Sequence, residues 1–167
     1  MSYQSDIYQP RLAAGQEYQD FLTLRLHSLG IILQPIQSKK YQYTRENLLG
    51  MEIKYDRRLA ETRNLYIETH EKSDPKKTSF VNSGIYREDK CWLYGIGDYV
   101  ELFIFSKKHL QRIDKAMESK NWPGVKRVPE NETRTSKGFL LPRAFSLAVC
   151  SKYIAFTEDP PSLESLN

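Results

Sequence analysis

Two runs of alternating apolar and polar residues, both between residues 50 and 72, constrain the fold more than any other feature of the chain. The apolar positions of these runs are Met51, Ile53, Tyr55, Leu65 and Ile67. Successive side chains of a β-strand point to opposite faces, so each run predicts a strand with one apolar face and one charged face. Because few residues separate the runs, we expect a single β-hairpin that turns near residues 59–61.

This hairpin would bring acidic side chains together. Its register would place Glu52 opposite Glu68 and Asp56 opposite Asn64. Like charges directly opposite on a sheet are destabilising unless a cation lies between them, and Mg²⁺ accepts carboxylate oxygens together with water and phosphate oxygens. Lys54, on the same face, could orient a water molecule or offset charge on a phosphate. Two interpretations stay open: a metal site, or a solvated hairpin whose ion pairs contribute little to stability.

Length and composition fit one globular domain with a basic surface. The chain has 167 residues, enough to bury a hydrophobic core without disulfide bonds or structural metals. Its 40% hydrophobic and 12% aromatic residues exclude a disordered or fibrous chain. The formal net charge of +4 and the isoelectric point near 9.0 favour a polyanionic partner such as nucleic acid.

The cysteines and the apolar runs bear on location. Cys91 and Cys150 are far apart and lack the spacing of a zinc site, so we expect both to be reduced. The chain has no signal-peptide pattern and no apolar run near the roughly 18 residues of a membrane-spanning helix. We therefore expect a cytoplasmic protein without a membrane partner.

Composition divides the chain into three segments. Residues 1–14 are polar and contain Pro10, which is typical of a flexible N-terminal arm. Residues 15–156 carry the apolar patterns of a single domain. Residues 157–167 combine prolines with acidic residues, which predicts a disordered tail.

Apolar periodicity predicts the main elements of the domain. A first helix over residues 15–29 should end before Gly30. The apolar run 100–105 predicts a central strand, and Ser106 is a candidate N-cap of a helix that has Lys107 on its exposed side. The other expected elements are strands over 31–33, 125–128 and 138–142, a helix or turn over 92–99, and a closing helix over 143–156.

Two basic segments are candidates for contact with phosphates. Lys39 and Lys40 stand beside two tyrosines, a mixture that suits phosphate contact and base stacking. Lys76 and Lys77 follow a turn-forming Asp-Pro pair and should lie in an exposed loop. The alternative for both segments is a solvated loop.

Other catalytic classes have little support. The chain has no Gly-x-Ser-x-Gly motif and no glycine-rich phosphate loop, and His27 and His109 fall within predicted helices without a partner. Asp98 is either a cap of a helix or strand, which we favour, or a polar residue that shapes a site.

Several motifs together resemble the PD-(D/E)XK nuclease superfamily, in its Holliday-junction-resolvase-like and restriction-endonuclease-like branch. The resemblance covers residues 15–154 and depends on the order and spacing of the motifs, because each one alone is weak. They are Gly-x-Glu-Ile-Lys-x-Asp from Gly50, Asn-Leu-Tyr-Ile-Glu from Asn64, Ser83-Gly84-Ile85, the segment 92–98, and Gly-Phe-Leu-Leu-Pro from Gly138.

The resemblance implies an α/β (α+β) fold with a restriction-endonuclease-like α-β-β-β-α-β core, in which helices flank a central mixed sheet. Glu17, in the first turn of the first helix, would match the family's helix acid. Asp56 or Glu52 would match the second-strand acid, and Glu68 the third-strand acid. Glu52, Asp56 and Glu68 would then be the metal ligands.

The family's lysine is the main departure. The family expects lysine two residues after the third-strand acid, where this chain has His70, so either Lys54 or His70 would take that role. A second alignment makes Glu52-Ile53-Lys54 the acidic-x-Lys element and Glu46 the preceding acid. It ranks lower because it leaves Glu68 and Asp56 without a role.

The resemblance implies a metal-dependent endonuclease that hydrolyses DNA phosphodiester bonds. Mg²⁺ would be its cofactor, with Mn²⁺ able to substitute, and its partner would be DNA, including branched or foreign DNA. A homodimer is a further expectation by analogy. The alternative, favoured by His70, is a catalytically weak or inactive nuclease-fold module that binds nucleic acid or serves a defence or mobile-element complex.

Overall fold

A computed structural model of the chain describes residues 3–36, 46–130 and 134–156. In these ranges the helices are α1 (Tyr3–Ser28), α2 (Leu59–Thr62), α3 (Lys107–Ala116) and α4 (Arg143–Val149), with one 3₁₀ turn at Gly84–Tyr86. The strands are β1 (Met51–Tyr55), β2 (Asn64–Glu71), β3 (Val81–Asn82), β4 (Leu93–Gly97), β5 (Glu101–Ser106), β6 (Lys126–Arg127), β7 (Ser136–Pro142) and β8 (Lys152–Ala155). The expectation of a mixed α/β chain is confirmed.

The strands form two four-stranded sheets rather than one central sheet. The first sheet has the order β1-β4-β5-β8, and the second has the order β3-β2-β7-β6. The first sheet is mixed, because β1 runs parallel to β4 while the other pairs are antiparallel. The pairs of the second sheet are all antiparallel.

The predicted hairpin between residues 50 and 72 is wrong, because β1 and β2 belong to different sheets. The short helix α2 joins them, and Arg63 leaves that helix in the left-handed conformation with φ 54°. Asp56 holds the connection, since its Oδ1 accepts a hydrogen bond from the Arg58 N–H and its Oδ2 accepts one from the Tyr66 N–H. Each strand therefore buries its apolar face in a different core.

Helix α1 covers the outer face of the first sheet. Its Tyr18, Leu22 and Leu26 are wholly buried against a cluster that includes Met51 of β1 and Leu102 of β5. The helix begins at Tyr3 rather than at residue 15, so residues 3–14 are helical, and the flexibility expected of this arm stays a prediction. Its end before Gly30, which has φ 76°, agrees with the prediction. The predicted tail at 157–167 lies outside the described residues.

A second core fills the space between the two sheets. Leu65 and Ile67 of β2 meet Phe103 and Phe105 of β5, and Leu110 of α3 closes one side. Burial of these large apolar side chains is the main favourable contribution to folding. The interior strand β5 and the helix that follows it are therefore as predicted.

Other predicted elements have mixed outcomes. Strands β6 and β7 confirm the expectations for 125–128 and 138–142, although β6 has only two residues. The helix predicted over 143–156 is instead α4 followed by β8. Residues 31–33 form no strand.

Residues 92–99 contain strand β4 where a helix or turn was predicted. Gly95 and Gly97 explain the difference, because glycine lowers the propensity of a segment to form a strand. A Cβ on Gly97 would overlap the backbone of Glu101, and one on Gly95 would lie 2.8 Å from Met51 Sδ. Close packing of neighbouring chain segments therefore requires glycine at position 97, whereas the flexible Met51 side chain could shift away from a Cβ at position 95.

None of the helices in the described ranges combines the length and apolar character needed to cross a membrane. The expected cytoplasmic location stays a prediction.

Candidate functional site

The site begins on the face of β1 that turns away from α1. Alternation places Met51, Ile53 and Tyr55 against the α1 cluster, so Glu52 and Lys54 point toward the second sheet. The Glu52 side chain is 0% exposed. A carboxylate at that depth is stable only with compensating cations, because burial without them is very costly.

Two lysines supply that compensation. Glu52 Oε1 lies 3.0 Å from Lys54 Nζ, and Glu52 Oε2 lies 2.8 Å from Lys107 Nζ. A guanidinium nitrogen of Arg87 is 3.9 Å from Oε1. Both carboxylate oxygens are therefore ion-paired.

Lys54 also bridges the two sheets. Its Nζ lies 3.6 Å from Oε1 of Glu68 on β2. The Ser83 hydroxyl donates a hydrogen bond of 2.7 Å to the same Glu68 oxygen. Gly84, the next residue, has φ 50° and packs closely against β2. A Cβ at this position would overlap the Glu68 carbonyl. The glycine thus allows Ser83 to reach Glu68.

Two further acids extend the network at its edges. Glu46 Oε1 lies 3.1 Å from Arg87, and its other oxygen accepts a hydrogen bond from the Ile53 N–H. Asp89 lies 3.0 Å from Lys107 Nζ. We call the whole network the ionic cluster. Its members are the acids Glu46, Glu52, Glu68 and Asp89 and the cations Lys54, Arg87 and Lys107.

Two acids of the cluster, Glu52 and Glu46, have opposite pKa shifts. Burial raises the pKa of Glu52 most strongly, but the charges of Lys54, Lys107 and Arg87 together outweigh burial and hold the pKa below its ordinary value. Burial raises the pKa of Glu46, and the negative charge of Glu52 raises it further. Glu52 is therefore ionised at neutral pH, whereas the environment resists ionisation of Glu46.

Lys54 is a permanent cation. Burial alone would lower the pKa of this lysine, but the charges of Glu52 and then Glu68 raise it well above its ordinary value. Lys54 therefore cannot act as a general base near neutral pH. It can hold anionic oxygens in place.

The structure brings together three of the predicted catalytic residues. Glu52, Lys54 and Glu68 meet, although the register that suggested their meeting does not exist. Glu46, the acid of the alternative alignment, joins them through Arg87. Glu52 and Glu68 of the first alignment and Glu46 of the second thus lie in the same cluster.

Asp56 and Glu17 do not join the cluster. Asp56 accepts two backbone hydrogen bonds at the turn after β1, and its role as a metal ligand stays a prediction. Glu17 is exposed on α1, on the opposite side of the first sheet. Burial is the largest cause of the raised pKa of Tyr99, and the charges of Tyr55 and then of Glu17 raise it further. The first-helix acid expected by analogy therefore lies away from the other acids.

His70 follows Glu68 on β2 after a β-bulge. Its Nδ1 is 3.0 Å from the Thr69 hydroxyl, and its ring centroid is 6.0 Å from that of Tyr86. Lys54 lies beside Glu68, and the catalytic role of His70 stays a prediction.

The basic segments have different outcomes. Lys76 and Lys77 lie in an exposed loop that Asp74 stabilises through hydrogen bonds with both of their backbone N–H groups. Lys39 and Lys40 lie outside the described residues. Contact of these lysines with DNA stays a prediction.

Asp98 and the cysteines are structural. Asp98 Oδ1 accepts hydrogen bonds from the N–H groups of Val100 and Glu101, which confirms its role as a cap. Both cysteines are free thiols, as expected. Burial raises the pKa of Cys91 to about 11, so this thiol is not a nucleophile at neutral pH.

Sequence reasoning missed Arg87, Asp89 and Lys107. Lys107 was expected on the exposed side of its helix, but its side chain is only 6% exposed because it pairs with Glu52 and Asp89. One signal was available in the sequence. A lysine in the first turn of a helix opposes the helix dipole, which favours an acidic partner without requiring one.

The described residues contain no group of three histidine, cysteine, aspartate or glutamate side chains arranged to hold a metal ion. Glu52 and Glu68 are carboxylates, the donor type that Mg²⁺ prefers, and Mg²⁺ usually takes only one or two of them from a protein. Lys54 already lies against both carboxylates, and Lys107 lies against Glu52. A bound Mg²⁺ at this pair stays a prediction.

Comparison of the chain with family models, curated proteins and solved structures finds no match.

Proposed function

We propose that the chain is a metal-dependent endonuclease of the PD-(D/E)XK type that hydrolyses DNA phosphodiester bonds. The observation that supports this proposal best is Lys54, which lies between Glu52 of one sheet and Glu68 of the other. Acidic residues beside a lysine are the combination that the family uses for hydrolysis. In this proposal β1, β2 and α1 correspond to parts of a restriction-endonuclease-like core.

Glu52, Lys54 and Glu68 would each have a distinct role in the reaction. Glu52 and Glu68 would hold Mg²⁺, or Mn²⁺ in its place. When bound, the ion supplies Lewis acidity that activates water and offsets the charge of the phosphate. The side chains of Lys54 and Glu68 are 29% and 18% exposed, so Lys54 can meet a phosphate from solvent and Glu68 can reach a solvent-borne ion. Lys54, always protonated, would stabilise the negative charge that develops during attack.

The remaining parts of the proposal concern the substrate. Lys76 and Lys77 are exposed and would contact the DNA backbone, which adds affinity without sequence specificity. A symmetric homodimer would allow both strands of a duplex to be cut. Such a protein would act in the cytoplasm.

A second candidate is a nuclease-fold module that binds nucleic acid without cleaving it. One observation favours it: both oxygens of Glu52 already contact lysines. Mg²⁺ must compete with these cations for the carboxylate. A module of this kind would bind DNA with strong salt dependence and leave it intact.

Incubation of the purified protein with plasmid, branched and single-stranded DNA separates the two candidates. Reactions contain Mg²⁺, Mn²⁺ or a chelator, and products are resolved on gels. The endonuclease predicts metal-dependent nicking that is lost in Glu68→Ala and in Lys54→Met. Glu71→Ala is the matched control, because Glu71 is an exposed acid on the same strand.

Circular dichroism must show that each variant is folded. Intact DNA in every metal, together with salt-sensitive binding, would overturn the endonuclease and support the binding module. Cleavage that persists in folded Glu68→Ala would remove the ionic cluster from the reaction.

A further inference from the structure

A cleft of about 430 Å³ lies beside the ionic cluster. Its lining includes Arg87 and Lys107, which belong to the cluster, and Lys90, Trp92 and Lys108, which do not. The cleft therefore borders the ionic cluster through Arg87 and Lys107, which both lie near Glu52. Its volume is within the range of small-molecule sites, roughly 300–1,000 Å³.

Trp92 is an exposed aromatic side chain on a fixed backbone. It is 63% exposed, an unusual state for the largest apolar side chain. The backbone N–H of Trp92 donates a hydrogen bond to the Gly50 carbonyl, and the backbone carbonyl of Trp92 accepts one from the Lys107 N–H. A Cβ on Gly50 would lie 2.8 Å from the indole, so glycine lets the ring lie against the backbone. The indole is positioned and yet mostly open to solvent.

The cleft is also positively charged. Four cations line it, whereas Asp89 is its one acidic residue. Lys90 and Lys108 are exposed, and within the part of the chain that the structure describes they form no ion pair. Arg87 and Lys107 are engaged with acids, so Lys90 and Lys108 are the cations left for a ligand.

We propose that this cleft binds an unpaired nucleotide of the substrate strand. The base would stack on Trp92, and the adjacent phosphates would contact Lys90 and Lys108. Aromatic stacking combined with a basic groove is the usual chemistry for binding single strands. Duplex bases do not offer a free face, so the cleft would select single-stranded, frayed or branched segments. The inference rests on the proposed function, since it names the substrate class of that site.

Indole fluorescence can test the stacking directly. Trp122→Phe removes the other tryptophan, which packs against Phe145, and leaves Trp92 as the only reporter. A short thymidine oligonucleotide should quench the fluorescence of Trp92. The oligonucleotide is added in the presence of a chelator so that no cleavage occurs. A blunt duplex of the same length should quench it much less.

Substitution of Trp92 gives the size of the effect. Binding of the single strand, followed by anisotropy of a labelled oligonucleotide, should weaken about 5- to 100-fold in Trp92→Ala. Trp92→Phe should retain most of the affinity, because the ring can still stack. Duplex affinity should be the same in all three proteins.

The lysines have their own matched control. Lys90→Ala and Lys108→Ala should each reduce the slope of log affinity against log salt by about 0.7 for the single strand. Lys115→Ala should leave the slope unchanged, because Lys115 is exposed on the same helix as Lys108 but lies outside the cleft.

The outcomes separate this inference from the proposed function. Metal-dependent cleavage with unchanged single-strand affinity in folded Trp92→Ala would overturn the nucleotide site and leave the endonuclease standing. Quenching and weakened binding without cleavage in any metal would support the nucleotide site and overturn the endonuclease. Equal quenching by single strand and duplex would also overturn the inference.

Discussion

Replacement of Lys107 by methionine tests whether the ionic cluster has the energetics that its geometry implies. Lys107 Nζ lies 2.8 Å from Glu52 and 3.0 Å from Asp89, and all three side chains are almost wholly buried. Removing one partner of a buried ion pair typically costs about 3–5 kcal/mol, because the other charge stays buried. Lys54 still pairs with Glu52 in the variant, so we expect the lower end, about 3 kcal/mol.

Urea unfolding followed by circular dichroism measures this loss. The midpoint should fall while the slope stays constant, because the surface exposed on unfolding does not change. A loss of that size lowers the melting temperature by about 6–12 °C in a chain of this length. Lys108→Met is the matched control: it removes an exposed lysine from the adjacent position and should change stability by no more than about 0.5 kcal/mol.

The pH dependence adds a second, independent measurement. The pKa of Glu52 is lowered in the folded protein, so its contribution to stability is present above the unfolded value of 4.5 and is lost as the pH falls through the folded value. Without Lys107 the folded pKa rises. The stability difference between wild type and Lys107→Met should therefore shrink in acid below about 4.5.

Two results would refute this reasoning. One is equal stability of Lys107→Met and Lys108→Met at neutral pH, which would mean that the buried pair is replaceable at no cost. The other is a loss that stays constant from neutral to acid pH, because it would then arise from packing and not from the charge of Glu52.

Three further predictions concern neighbouring residues. The pKa of Glu46 is raised in the folded protein, so its contribution to stability is full below the unfolded value of 4.5 and is lost as the pH rises through the folded value. In urea unfolding, the stability of wild type relative to Glu46→Gln should therefore increase as the pH falls from neutral toward 4.5. Gly84→Ala should cost at least about 2 kcal/mol in the same assay, because of its positive φ and the overlap with Glu68, whereas Gly15→Ala, in open helical space, should stabilise by about 0.5–1 kcal/mol. In chelator, Glu68→Gln should change stability by less than about 1 kcal/mol, and added Mg²⁺ should raise the melting temperature of wild type but not of this variant. An equal Mg²⁺ effect in both proteins would exclude Glu68 as a ligand.

Elements with a strong local pattern could be predicted from the sequence. The apolar run that ends at Phe105 and the helical period of Leu110 and Ile113 identify β5 and α3, because both elements bury the face that their periodicity defines. Both ends of β5 and the first residue of α3 agree with the structure within one residue.

The pairing of strands could not be predicted in the same way. β1 and β2 are close in sequence and both alternate, which favours a hairpin by local criteria. Their apolar faces bury in different cores, and β1 pairs with β4 about forty residues away. Only the tertiary context specifies such a pairing, since local strand preference does not identify the partner.

Three of the seven members of the ionic cluster could be predicted from strand periodicity. Glu52, Lys54 and Glu68 attract attention because they stand on the polar faces of alternating strands. Arg87 and Lys107 carry no periodic signal, and each reaches Glu52 only because the chain folds back from a distant segment.

The presence of seven charged side chains in the ionic cluster argues for a function beyond stability. Buried ion pairs often add no more stability than apolar residues of similar size, because desolvation offsets their attraction. Between two sheets that are otherwise joined by leucine, isoleucine and phenylalanine, apolar residues would complete the same core. Lys54 and Glu68 also remain partly open to solvent beside a basic cleft, which a purely structural network does not require. This combination of buried acid, shared lysine and open edge is the feature on which the proposed function rests, with Lys54 as the cation that would meet the substrate.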